Sequence, residues 1–137
     1  MNQMNQFERQ HLIQSIAYCG LVCGMCHLRT ECDGCKNTAK QCARSSVCFQ
    51  RICCIQRNLA GCWDCTDFPC GADMHGPNHD IRIRAFVSFI RDEGAERLVD
   101  CLLRNEARGI HYGYKLDYDG KGSEEEVIQI LKTGCLD

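Results

Sequence analysis

Twelve of the fourteen cysteines lie between Cys19 and Cys70. Three pairs in that stretch have Cys-x2-Cys spacing, Cys23/Cys26, Cys32/Cys35 and Cys62/Cys65, and Cys19, Cys42, Cys48, Cys53, Cys54 and Cys70 stand around them. Two thiolates separated by two residues can turn their sulfurs toward one point, so repeated pairs let a chain fold around a soft cation. The chemistry expected of residues 1–72 is therefore metal binding.

The residues between the cysteines suit that chemistry. Cys19, Cys23 and Cys26 have the Cys-x3-Cys-x2-Cys spacing that resembles the cluster motif of radical S-adenosylmethionine enzymes. A (β/α)8 barrel of the kind that carries the motif needs roughly 200 residues or more, and this chain has 137. We read the three cysteines as ligands in a loop where Gly20 and Gly24 let backbone amides approach sulfur. Cys32-Asp33-Gly34-Cys35 has the Cys-x-Gly-Cys form of a zinc knuckle, and the adjacent His27 is read as a surface residue. From Cys42 through Cys48 to Cys53-Cys54 there is room for a helical turn or two. Of the adjacent pair, Cys53 is expected to be a ligand and Cys54 a small buried hydrophobe. In the closing segment, Gly61 to Cys70, Pro69 stiffens the approach to Cys70, and Trp63 and Phe68 are expected in the core.

The run YCGLVCGMC, then CDGC, then Cys48-x2-Arg51-x-Cys53, then CWDCTDFPC resembles a cysteine-rich domain-of-unknown-function family of bacteria and archaea, usually labelled zinc-binding. The resemblance spans about residues 18–70. It implies that Cys19, Cys23, Cys26, Cys32, Cys35, Cys48, Cys53, Cys62, Cys65 and Cys70 are the positions shared with the family, with Cys42 among them, and these are the metal ligands expected here. The family commonly has a small residue at the position of Cys54. It carries no established activity, so the resemblance implies a fold more than a function.

Zinc is the expected ion. Each closed site takes four ligands, so twelve sulfurs supply three sites, or fewer where some are inert or bridging. The alternative is an iron-sulfur cluster, also held by four cysteines. The bacterial ferredoxin run Cys-x2-Cys-x2-Cys-x3-Cys-Pro is absent, and Pro69 precedes its cysteine.

The formal charge of −2 omits the thiolates. Between Cys19 and Cys70 the cations are Arg29, Lys36, Lys40, Arg44, Arg51 and Arg57, against Glu31, Asp33, Asp64 and Asp67. A four-thiolate zinc site adds about −2, which makes the metallated module acidic and argues against nucleic acid as a partner. The basic residues are expected to hydrogen-bond to the sulfurs or screen them. Residues Met1 to Ile16 contain no apolar run long enough for a signal peptide or membrane span. The expected location is the cytoplasm, where ligand-spaced cysteines are metal ligands more often than disulfides.

A module this small has too little apolar carbon to fold on burial alone, and its cross-links are expected to make up the deficit. The predicted fold is a small metal-stabilised α or α+β one. An irregular zinc-knuckle module over residues 1–72 packs with about three helices in residues 73–137, forming one compact unit. Gly71 to Asp80, with His75, Gly76, Pro77 and His79, reads as a linker, and Gly76-Pro77 prevents a helix that would align the two histidines.

Ile83, Phe86, Phe89 and Ile90 predict a helix from about Ile81 to Glu93, stopped by Gly94. Leu98, Cys101, Leu102 and Asn105 predict a second, ending before Gly109, with Cys101 as buried packing. Read from Asp117, a calcium loop fails at Lys121 and Ile128. Ser123 and Glu126 instead form a capping box for a last helix through Lys132, with Gly134 as its stop. His111, Tyr112, Tyr114 and Tyr118 are read as a loop packed on the metal module.

No nucleophile, base and orienting carboxylate stand out as a set, so no catalytic residue is assigned. The expected function is a zinc-binding protein with structural four-cysteine sites that binds another protein or a small ligand. The alternatives are an iron-sulfur redox or electron-transfer protein, and a metal sensor or store. A hydrolase using zinc held by cysteine together with His27, His75, His79 or His111 ranks below these.

Overall fold

A computed structural model of the chain describes residues 6–22, 25, 49–66, 68, 75–76, 80–112 and 117–136. Among them are five α-helices: α1 (Gln6–Gln14), α2 (Phe49–Arg57), α3 (Ile81–Glu93), α4 (Ala95–Ala107) and α5 (Glu124–Thr133). A 3-10 turn spans Cys62–Asp64. The described residues contain no strand; their extended pairing is one isolated antiparallel bridge between Ile16 and Val22. Of the two expected classes, the described part is the helical one.

Local chemistry sets the ends of α3, α4 and α5. Asp80 Oδ1 accepts the Arg82 amide at 2.8 Å and starts α3. Gly94, at φ +96°, ends α3 by donating its amide to Ile90 and opens α4 by accepting from the Leu98 amide. With ψ at 156° this is a backbone region that essentially only glycine adopts, costing a side-chain-bearing residue about 1–3 kcal/mol, so glycine is the residue that lets one position join two helices. Ser123 Oγ accepts the Glu126 amide at 3.3 Å, and the Glu126 carboxylate reaches back to the Gly122 amide at 3.2 Å. Gly134, left-handed at φ +70°, closes α5.

α3 is the central element, packing against α4, α5 and the 3-10 turn, while α1 packs on α4. The core runs through Phe86, Leu98, Val99, Leu102, Val127 and Leu131, all buried, and takes in Leu12 and Ile16 from the N-terminal segment. One polar group crosses it: Asn105 Nδ2 donates to the Ile130 carbonyl at 3.0 Å and to Tyr118 Oη at 3.1 Å. Burial pushes the Tyr118 hydroxyl up to about 12 against the partial offset of that hydrogen bond.

Candidate functional site

The chain reaches α2 and the 3-10 turn through a sequence of fixed positions. Helix α2 ends in a Schellman motif: the Leu59 amide donates to Cys54 O at 2.8 Å, and the Asn58 amide donates to Ile55 O at 3.2 Å. Asn58 takes the left-handed position, at φ +59°. Leu59 then packs with Cys54, Cys62 and Val87 in one apolar cluster. The Cys62 amide donates to Tyr18 O at 2.9 Å, tying the turn to the segment that carries Cys19. The Trp63 ring folds over Gly61, filling the space a Cβ would need there.

Helix α3 and the loop after α4 hold this arrangement. Gly20, at φ +90°, sits against α3 so closely that a Cβ would lie 2.8 Å from Val87 Cγ2. Arg91, in the last turn of α3, donates to Trp63 O at 3.3 Å and Cys65 O at 2.9 Å. Its guanidinium lies 4.9 Å from the centre of the Phe68 ring. From the loop after α4, Tyr112 Oη accepts the Val22 amide at 3.0 Å.

Between α2 and the turn lies a cavity of about 70 Å³, lined by Cys53, Cys54, Cys62, Cys65, Phe68 and His75, with Phe49, Gln50, Arg57 and Leu59 completing its wall. Pockets for organic ligands are commonly some 300 Å³ or more, so this one has the size for an ion or a few waters. Cys54 and Cys62 are buried, their sulfurs 3.9 Å apart. Arg57 Nη1 donates to Cys65 Sγ at 3.6 Å, so a basic residue does stand beside a sulfur. His75 is 2 % exposed, with its ring edge-on to Phe68 at 5.1 Å between centres.

The structure thus brings three of the predicted ligands, Cys53, Cys62 and Cys65, to one cavity. Cys19 is buried elsewhere, with Ala17 and Ile83. Cys23, Cys26, Cys32, Cys35, Cys42, Cys48 and Cys70, together with His27 and His79, lie outside the described residues. Among the described residues, no group of three or more histidine, cysteine, aspartate or glutamate side chains is close enough together to hold a metal ion. What the cavity offers is donor chemistry: four soft sulfurs and an imidazole around ion-sized space fit a soft divalent cation better than a hard one.

Elsewhere, the acidic residues are used by the fold. Asp119 pairs with Arg82 at 3.1 Å, Asp80 Oδ2 accepts the Gly120 amide at 2.9 Å, and Asp117 Oδ2 accepts the His111 amide at 2.7 Å. Cys101 is buried in the helical core, where burial pushes its thiol up.

Cys54 is buried in an apolar cluster with Cys62 and Val87, as the sequence predicts. Gln50 and Cys54, four apart, share the buried face of α2, with Ile52 and Ile55 outside it. The reading of residues 71–80 as a linker did not foresee that His75 is buried beside the cavity.

The family described as Protein of unknown function (DUF3795) matches residues 27–74, about a third of the chain. The resemblance to an uncharacterised cysteine-rich family therefore holds over that stretch, which contains α2, the 3-10 turn and Cys53, Cys54, Cys62 and Cys65. No curated protein and no solved structure matches the chain. No helix among the described residues is long and apolar enough to cross a membrane.

Proposed function

We propose that this is a zinc-binding protein whose cysteine-rich segment holds the ion in closed, structural thiolate sites and which acts as a non-catalytic interaction module in the cytoplasm. The observation that carries the reading is the convergence of four cysteines from α2 and the 3-10 turn on a cavity of about 70 Å³. That space suits an ion and is too small for an organic substrate. Cys62 and a cysteine of α2 would contribute ligands there, completed by other cysteines of the segment, and Arg57, which donates to Cys65 Sγ, would offset part of the thiolate charge. A closed thiolate site supplies folding energy and leaves no position open for a substrate. The outer face of α2, with Ile52 at 37 % and Ile55 at 50 % exposure, supports a protein as the partner.

Elemental analysis of protein purified without oxygen or added metal, read beside its visible spectrum, tests this. About three zinc ions per chain and no visible absorption are expected. Iron with acid-labile sulfide and a brown colour would instead make it an electron-transfer protein. Metal that exchanges rapidly with a weak chelator would point to a sensor or store.

A further inference from the structure

We propose that Cys54 and Cys62 form one edge of a tetrahedral metal site, with Cys54 rather than Cys53 as the ligand contributed by α2. The inference rests on the zinc-binding reading above and names the residues of one of its sites.

The first argument is distance. Two thiolates bound to one zinc at about 2.3 Å, subtending a tetrahedral angle, have sulfurs about 3.8 Å apart. Cys54 Sγ and Cys62 Sγ are 3.9 Å apart and border the same ion-sized cavity. Neither sulfur needs to travel for both to reach a common ion. Both are also fixed by backbone: the Cys54 carbonyl is the acceptor of the Schellman bond from Leu59, and the Cys62 amide is bound to Tyr18 O. The site would therefore be preformed along that edge.

The second argument is the orientation of α2. The helix buries Gln50 and Cys54 to 1 % exposure each and leaves Ile52 and Ile55 exposed. Burial of an isoleucine side chain contributes roughly 1.5–3 kcal/mol, so hydrophobic burial alone would turn the helix the other way. A bond from Cys54 to a metal shared with Cys62 would hold this orientation more firmly than the packing of a thiol against Leu59 and Val87 alone. Cys53, next along the helix, is only half-buried. Cys65 and His75 border the same cavity.

The deciding experiment uses the wild-type chain loaded with an NMR-active cadmium isotope. Scalar couplings from a single cadmium to the β-protons of both Cys54 and Cys62, with none to Cys53, are expected. Coupling to Cys53 and not Cys54 overturns the assignment while leaving metal binding intact, and so does coupling of Cys54 and Cys62 to different ions. A chain that takes up no cadmium and no zinc overturns both this assignment and the reading it rests on. In parallel, Cys54→Ser should lose one metal equivalent per chain and Cys53→Ser none. The opposite pattern overturns the assignment, and the wild-type couplings decide should Cys54→Ser fail to fold.

Discussion

The helical half and the cysteine-rich half of this chain solve the same problem in opposite ways. In α3, α4 and α5 the apolar stripes face inward, onto Phe86, Leu102 and Leu131, and burial supplies the stability. In α2 the stripe is reversed: Gln50 and Cys54 face in, and Ile52 and Ile55 face out. A helix of nine residues is too short to be stable alone in water, so α2 depends on its tertiary contacts, among them the packing of Cys54 with Leu59, Cys62 and Val87. The difference teaches that a helix can turn sulfur inward where its neighbours turn apolar carbon inward.

The hardest test of that contrast is metal removal. Stripping the ion with a strong chelator, in reductant, should accelerate hydrogen exchange of the α2 amides by more than about a hundredfold, since structural zinc contributes on the order of 10 kcal/mol. The amides of α3 and α4 should keep their protection. Equal loss in both halves would show one cooperative unit and break the comparison.

Side-chain truncation gives the next largest effect. Phe86→Ala should cost about 3–5 kcal/mol in urea unfolding of the metal-loaded protein, against less than about 0.5 kcal/mol for Ile55→Ala on the outer face of α2. Comparable costs would mean that the outer face is covered in solution.

Alkaline pH should weaken the helical half. With the Tyr118 hydroxyl raised from 10.0 to about 12, its contribution is complete below pH 10 and is lost as pH climbs toward 12. The loss amounts to at most about 3 kcal/mol, and the Tyr118→Phe substitution should flatten that part of the stability profile. Cys101, also raised by burial, acts in the same direction. The smallest effects sharpen the boundary between the halves. Gly94→Ala, where a Cβ meets nothing within 4 Å, should cost only the backbone strain of about 1–3 kcal/mol. Gly20→Ala adds a collision with Val87 to its own backbone strain and should cost more than Gly94→Ala in the same unfolding curves.

Much of the helical half was legible in the sequence because its signals are local. Gly94, Ser123 and Gly134 mark ends that the structure places at those residues, and the spacing of Ile83, Phe86 and Ile90 follows the helical period. Helix α1 was not legible: its Gln-rich sequence has no strong apolar stripe, and it is recognised by what Leu12 and Ile16 touch in the core. In the cysteine-rich half, the pair Cys62/Cys65 was legible from its spacing. The role of His75 was hidden, because the glycine and proline beside it predict a linker and say nothing of the Phe68 ring it packs against. That Cys54 is the buried member of the adjacent pair was legible; that it lies beside Cys62 at the cavity was not, because that contact depends on the turn at Asn58 and Leu59.

The single residue between α3 and α4 has a mechanical meaning. Gly94 leaves no slack, so two 13-residue helices form a stiff elbow, and Arg91 bolts the backbone of Trp63 and Cys65 three residues from its bend. Any shift of the cysteine turn would therefore be felt by α3 beside this bend, where α4, 13 residues and some 20 Å long at 1.5 Å per residue, is joined to it.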